Sequence, residues 1–296
     1  MRFEQVIATI VIALLAGTVG AFLILLGHLP NAKLPVKAET ALERVAKSGT
    51  LQCGYALQPP YFMKDANTSA FSGLWYELTE KIAALNHLKV VWVTATTEAS
   101  LVADLRAKKF DVFCGGWPVG GAPARDLIVS TPAHYSTLGI FVRADDARLT
   151  GKPDALTHAD MKFAVRAESP AHIRLQLDFP AATLITTPAD ASDAQTIDAV
   201  LDNKADILIA ERTAVDPYLK ATPPRLREVA APHALAAVGR AFAVLPEEST
   251  LRDFLNGGVQ DILGSDFIDK TLQKYARTPG GLLAAVPGYA DGGVWK

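Results

Sequence analysis

Cysteine is scarce in this chain, with only Cys53 and Cys114 among 296 residues. The six histidines, His28, His87, His134, His158, His172 and His233, show no ligand spacing such as His-x3-His. Unless the fold gathers distant residues, such a set builds no metal centre, and none is expected. An excess of charge of either sign is also missing. Lys and Arg number 29 against 31 Asp and Glu, a net charge of −2, so nucleic acid is not an expected partner. No nucleophile–base pair stands out either, and neither a catalytic residue nor a cofactor is assigned.

Half of the residues are apolar. A globular chain of this length can form two lobes, each with its own core. The most apolar stretch is 6–26, VIATIVIALLAGTVGAFLILL, which contains no charged residue. About 20 such residues cross a bilayer core as a helix. The stretch exceeds the roughly 7–15 apolar residues of a removed signal peptide, and Gly27-His28-Leu29-Pro30 offers no clean cleavage pattern. An uncleaved membrane anchor over 1–30 is therefore expected in preference to a cleaved signal. Residues 31–47 read as a linker and a lead-in helix.

From there strand and helix patterns alternate. Strands are expected at 51–55, 90–93 and 111–114, with an amphipathic helix between the first two carrying Leu74, Leu78, Ile82 and Leu85 at helical spacing. Another strand is expected at 139–142, and a second alternating unit then contributes strands at 163–165, 182–185 and 207–210, with a helix start at Ser169-Pro170. The alternation implies crossover connections and a parallel sheet. Two phrases echo each other, Leu105 to Val112 and Leu201 to Ile207. Each is a helix end, a tight turn and an aspartate opening a buried strand, as in two lobes built alike. Residues 278–296, rich in Gly and Pro, read as an irregular tail.

Chemistry concentrates between Lys108 and Tyr135. A buried strand runs into an expected glycine turn, Gly115-Gly116-Trp117, followed by Pro123-Ala124-Arg125 at a helix start. Free backbone N–H groups and an arginine fork there would form half of an anion-binding mouth. In alternating folds the ligand sits beyond the carboxyl ends of the strands, which selects the loops at 59–62, 115–125, 167–170 and 211–213. Cys53 and Cys114 fall on neighbouring strands. Outside the cytoplasm a disulfide is allowed, yet a bridge across adjacent parallel strands demands uncommon geometry, so a bond and two buried thiols both remain open.

The ordered pieces Ser48-Gly49-Thr50-Leu51, Pro59-Pro60-Tyr61, Ser72-Gly73-Leu74, Phe110-Asp111-Val112, Ser130-Thr131-Pro132, Ala205-Asp206-Ile207 and Gly239-Arg240-Ala241-Phe242 carry a resemblance. In this respect the chain resembles the bacterial extracellular solute-binding proteins of family 3, the receptors of polar amino-acid ABC importers. The resemblance implies an α/β, two-lobed periplasmic binding protein-like (type II) fold with a hinge. Lobe 1 would comprise 48–142 and a return at 239–277, with lobe 2 at 143–238. It further implies an amino-acid-like ligand between the lobes, an ABC permease as partner, and a place on the periplasmic side of the inner membrane. An anchored sensor or accessory receptor without its own permease is the alternative, and a cyclohexadienyl dehydratase-like enzyme a more distant one.

By the same resemblance Tyr61 or Phe62 would pack on the ligand, Arg125 would grip its carboxylate, and Glu168 and Ser169 would line the second lobe's first helix. Glu211 would take its ammonium group, and Gly116 and Trp117 would form the cleft wall. The chain departs from the family at Pro118 and Ala122, where hydroxyl residues are usual, at Glu168, where glycine is usual, and at Glu211, usually an aspartate.

Overall fold

The computed structural model describes residues 39–120, 126–149, 161–229, 234–276 and 278–285. Contacts divide the chain into two compact units, 1–39 and 40–296; the architecture below is that of the second. The expected membrane anchor lies outside the described residues. Among those described, no helix is long and apolar enough to cross a membrane.

Thr40 and Glu43 form a reciprocal capping box that starts helix α1 (Ala41–Ser48), and Gly49 ends it in the left-handed region at φ 65°. Strand β1 (Thr50–Tyr55) follows, then a small hairpin of β2 (Met63–Lys64) and β3 (Phe71–Ser72). Helix α2 (Leu74–Leu85) buries Leu74, Leu78 and Ile82 on one face, as their spacing predicts, while Leu85 at its last position is exposed. Next come β4 (Lys89–Ala95), α3 (Leu101–Arg106), β5 (Val112–Pro118), β6 (Ile128–Val129) and the long β7 (His134–Arg143). The second lobe continues with β8 (Lys162–Arg166), α4 (Pro170–Asp178), β9 (Thr183–Thr187), α5 (Asp193–Leu201), β10 (Ile207–Glu211), α6 (Arg212–Leu219) and β11 (Leu226–Glu228). Strand β12 (Ala236–Val244) returns to the first lobe, which α7 (Ser249–Leu263), α8 (Asp266–Tyr275) and β13 (Leu282–Ala284) complete.

One sheet runs through both lobes in the order β4-β1-β5-β12-β7-β10-β8-β9. Its two ends are parallel, as the alternating pattern predicts: β1 with β4 and β5, and β8 with β9 and β10. Its centre is antiparallel, because β7 and β12 run against each other and against their neighbours. The sheet is therefore mixed rather than parallel. Crossing chain segments that lead out of one lobe and back have to run in opposite directions.

Residues 115–118 are not a turn. Strand β5 continues to Pro118, opposite Arg240 of β12, with a bulge in which Phe113 to Trp117 of β5 faces only Ala243 to Ala241 of β12. Gly116 supplies the positive φ (78°), and a Cβ there would strike the Trp75 indole. The tail is not wholly irregular either, since β13 pairs with β7 through Leu282 opposite Ser136.

Alternation along β7 distributes side chains between cores. Ile140 and Val142 join Phe163, Leu175 and Ile209 on one face of lobe 2, while Phe141 joins Ile197, Val200 and Leu208 on the other. Lobe 1 packs Leu51, Trp75, Leu78 and Ile82 against Phe242, Leu255 and Val259. Cys53 and Cys114 are joined by a disulfide within that core, with Cα atoms 5.6 Å apart.

Candidate functional site: the cleft between the lobes

Two groups of loops face each other across the sheet's centre. From lobe 1 come 56–60, after β1, and 95–99, after β4. From lobe 2 come Arg166 at the end of β8, 190–197 around the start of α5, and 213–218 on α6. Together they line a cavity of about 920 Å³. Deeper in lie two small pockets, of about 50 Å³ and 30 Å³, that share Gln58, Glu98 and Arg240.

Arg240 is the centre of the floor. It stands on β12 where that strand passes between the lobes, and it is buried, 5% exposed. Its guanidinium ion-pairs with Glu211, donates to the Gly116 carbonyl (2.9 Å) and to the Ser136 hydroxyl (3.3 Å), and lies 4.9 Å from the centre of the Tyr61 ring. Burial would lower the Arg240 pKa, but the Glu211 charge and hydrogen bond, with Tyr61 and Glu98, together outweigh it, and the group stays protonated more firmly than an ordinary arginine.

Tyr61 completes the cluster by donating its hydroxyl to Glu211 at 2.7 Å, from lobe 1 to lobe 2, with Thr213 Oγ1 at 3.4 Å. Burial and then the Glu211 charge push the phenol pKa up, so it remains a donor. Beside it, His134 is fully buried with neither ring nitrogen hydrogen-bonded. Burial, followed by the Arg240 charge, holds its pKa down at about 3, so the ring is neutral.

A second polar bridge closes the cleft nearer the surface, where Arg166 donates from both terminal nitrogens to Glu98, at 3.2 and 3.3 Å. Gln58 of lobe 1 and Asp193 of lobe 2 line the same two cavities. Asp193 opens α5, whose N-terminus is capped separately by the Ser192–Gln195 box. Burial and the Glu211 charge raise its carboxyl pKa.

The residues singled out from sequence divide three ways. Tyr61, Gly116, Trp117, Ser169 and Glu211 stand at the cleft: Tyr61 and Glu211 in the floor cluster, Gly116 and Trp117 in the wall of the 30 Å³ pocket, and Ser169 in that of the 50 Å³ pocket. Ser169 also caps α4, accepting from His172 N at 3.2 Å. Phe62 and Glu168 stand elsewhere. Phe62 is 0% exposed and packs with Tyr55, Phe71, Tyr76 and Trp92, because the loop folds back on itself through Gln58 N to Phe62 O and Phe62 N to Gln58 O. Its ring therefore stands in the interior.

Glu168 is exposed, with its N–H on His172 Nδ1. Its φ of 61° explains why glycine suits the position. Arg125 lies outside the described residues.

Sequence reasoning missed Arg240, Arg166, Glu98, Gln58 and Asp193 as site residues. Arg240 had a readable signal, being the single charge in the apolar run 236–245. The other four are ordinary surface residue types, in loops or at the ends of elements, which only the fold brings together. Among the described residues, no group of His, Cys, Asp and Glu could hold a metal ion.

Comparison with known proteins fits this geometry. The model of the bacterial extracellular solute-binding proteins, family 3, matches residues 39–278. The periplasmic VFT2 domain of BvgS from Bordetella pertussis is similar in fold, with a TM-score of 0.68 at 20% identity over 79% of this chain and 97% of that one. An ancestral amino acid-binding protein, a precursor of cyclohexadienyl dehydratase, matches with a TM-score of 0.64 at 22% identity over 80% and 99%. The solute receptor for L-cysteine of Neisseria gonorrhoeae matches with 0.63 at 21% identity over 83% and 99%. No curated protein sequence matches the chain.

Proposed function

Because the chain belongs to the bacterial extracellular solute-binding proteins, family 3, we propose that it is a non-catalytic receptor that closes on a small amino-acid-like solute and delivers it to an ABC permease. The carrying observation is that polar side chains meet across the cleft from opposite lobes: Tyr61 with Glu211, and Glu98 with Arg166. A ligand that engages both walls favours the closed arrangement by its differential affinity for it, which is what a hinged receptor requires. The disulfide supports a location outside the cytoplasm, where such bonds persist. Arg125 is assigned the ligand carboxylate, and the N-terminal stretch the tether to the inner membrane.

Isothermal titration with L-amino acids and dicarboxylates tests the reading. A saturable one-to-one isotherm for at least one of them is expected. Absence of binding by every one, from a folded sample, would overturn it.

A second reading, catalysis in the same cleft, draws on Asp193, whose raised carboxyl in a partly closed pocket is the setting of a general acid. Turnover of prephenate or arogenate by the purified chain would decide for it.

A further inference from the structure

Three carboxylates line the 50 Å³ pocket: Glu98, Asp193 and Glu211. Two are already engaged with guanidinium groups of the chain itself. Glu98 accepts both terminal nitrogens of Arg166, and Glu211 is held by Arg240 on one oxygen and by the Tyr61 hydroxyl on the other. A solute ammonium directed at Glu211 would meet a buried guanidinium already in place, with like charges a few ångströms apart. Asp193 is different. It makes no ion pair among the described residues, and it lines both the inner pocket, beside the neutral side chain of Gln58, and the 920 Å³ cavity outside it.

The inner pocket also has the right size for a compact charged head. A water-sized group needs roughly 10–15 Å³ on this measure, and an ammonium group is water-sized. The 50 Å³ pocket has room for that head and a few waters beside it, while the outer cavity takes the remainder of a solute.

We propose that Asp193, and not Glu211, receives the positive pole of the solute, and that the solute is a primary ammonium compound. Glu211 and Arg240 then form a fixed internal pair that supports the floor. The inference rests on the receptor reading above and assigns one of its contacts. Its pH dependence follows from the groups that face Asp193. Burial and Glu211 raise its carboxyl, while Arg166, Arg240 and the Gln58 hydrogen bond lower it, and the net shift is upward. Affinity for an ammonium solute therefore weakens on the acid side, at a pH higher than an ordinary aspartate would set.

The test is titration of the full chain with L-lysine, L-alanine, putrescine and succinate, in wild type, Asp193→Asn and Glu211→Gln. Thermal melts confirm that each variant folds, and Asp193→Ser serves if the amide variant does not. Wild type is expected to bind at least one amine-bearing probe. Asp193→Asn should weaken that probe about tenfold or more, the scale of a lost hydrogen bond to a charged group, and should flatten the acid-side decline. Glu211→Gln should keep the order of preference among probes.

Unchanged affinity and pH profile in Asp193→Asn would overturn the inference and leave the receptor reading intact. Binding of succinate alone by wild type would do the same. Binding of none of the four would remove this inference, and silence across the wider amino-acid and dicarboxylate set would remove the receptor reading as well.

Discussion

The two lobes share one corner and secure it differently. In lobe 1, Asp111 opens β5 after a turn in which Lys108 is left-handed (φ 53°). In lobe 2, Asp206 opens β10 after Asn203 (φ 61°). Each aspartate zips onto the neighbouring strand by the same pair of bonds. Asp111 N donates to Gln52 O (2.9 Å) and its carboxylate accepts Gln52 N (3.1 Å), while Asp206 does likewise with Lys162 (2.8 and 2.9 Å). The other carboxylate oxygen takes an arginine, Arg44 at 3.0 Å or Arg148 at 2.6 Å.

Beyond that the corners diverge. Cys53, next to Gln52, is tied covalently to Cys114 on the Asp111 strand. Lobe 2 instead extends the ionic contacts, with Arg148 bridging to Asp146 and Arg227 reaching the Asp146 and Leu149 carbonyls. Hydrogen bonds from Arg148 hold the Asp146 carboxyl down at about 2. One motif is thus locked by a bond in the first half and by charge in the second, and reductant and acid should separate them.

The largest difference should come from the bond. Its 61-residue separation gives about 4 kcal/mol by loop-closure entropy. Reducing it, or introducing Cys114→Ser, should lower the denaturant midpoint of lobe 1 and leave amide protection of β8 and β10 in lobe 2 nearly unchanged, as read by hydrogen exchange. Equal loss of protection in both lobes would mean that they unfold as one unit.

A smaller contrast lies in the aspartates. Asp111→Ala leaves the Gln52 N–H and Arg44 without this carboxylate and should cost about 2 kcal/mol. Asp206→Ala should cost less, about 1 kcal/mol, because its arginine is half exposed and solvent screens the pair. Chemical denaturation of the two variants ranks them, and a larger cost at Asp206 would reverse the comparison.

The smallest effect is at the junction of the lobes. The folded His134 binds a proton only near pH 3, and the unfolded one near 6.5. Below 6.5 the unfolded state therefore binds more protons, so this contribution is complete above 6.5 and is lost as pH falls toward 3. Between pH 7 and 5.5 wild type should lose about 1 kcal/mol that His134→Phe retains. Parallel slopes in the two proteins would show that the ring finds a partner when it charges.

Much of this architecture was legible because buried strands and capped helices are local patterns. Ser169-Pro170 announces a helix start that is present. The repeated aspartate phrase marked the two equivalent corners. What misled was chain direction and context. Alternation implied a parallel sheet, but the return strand β12 has no signature that reveals its antiparallel neighbours. Gly115-Gly116 reads as a turn in isolation, and only pairing with β12 makes it a bulge within a strand. The resemblance offers Phe62 as well as Tyr61 to the ligand, but the Phe62 ring meets four aromatic partners spread from Tyr55 to Trp92 along the sequence. The cleft's ion pairs were unreadable for the same reason, since Glu98 and Arg166 are 68 positions apart.

Trp117 carries one further consequence. Its indole packs edge-on against Phe113 and forms part of the wall of the 30 Å³ pocket beside Arg240. A solute arriving there would alter the polarity around the ring, and indole emission responds to polarity in both colour and yield. On the proposed reading the chain thus comes with its own dye beside the captured solute, and a cuvette and a lamp suffice to watch the cleft fill.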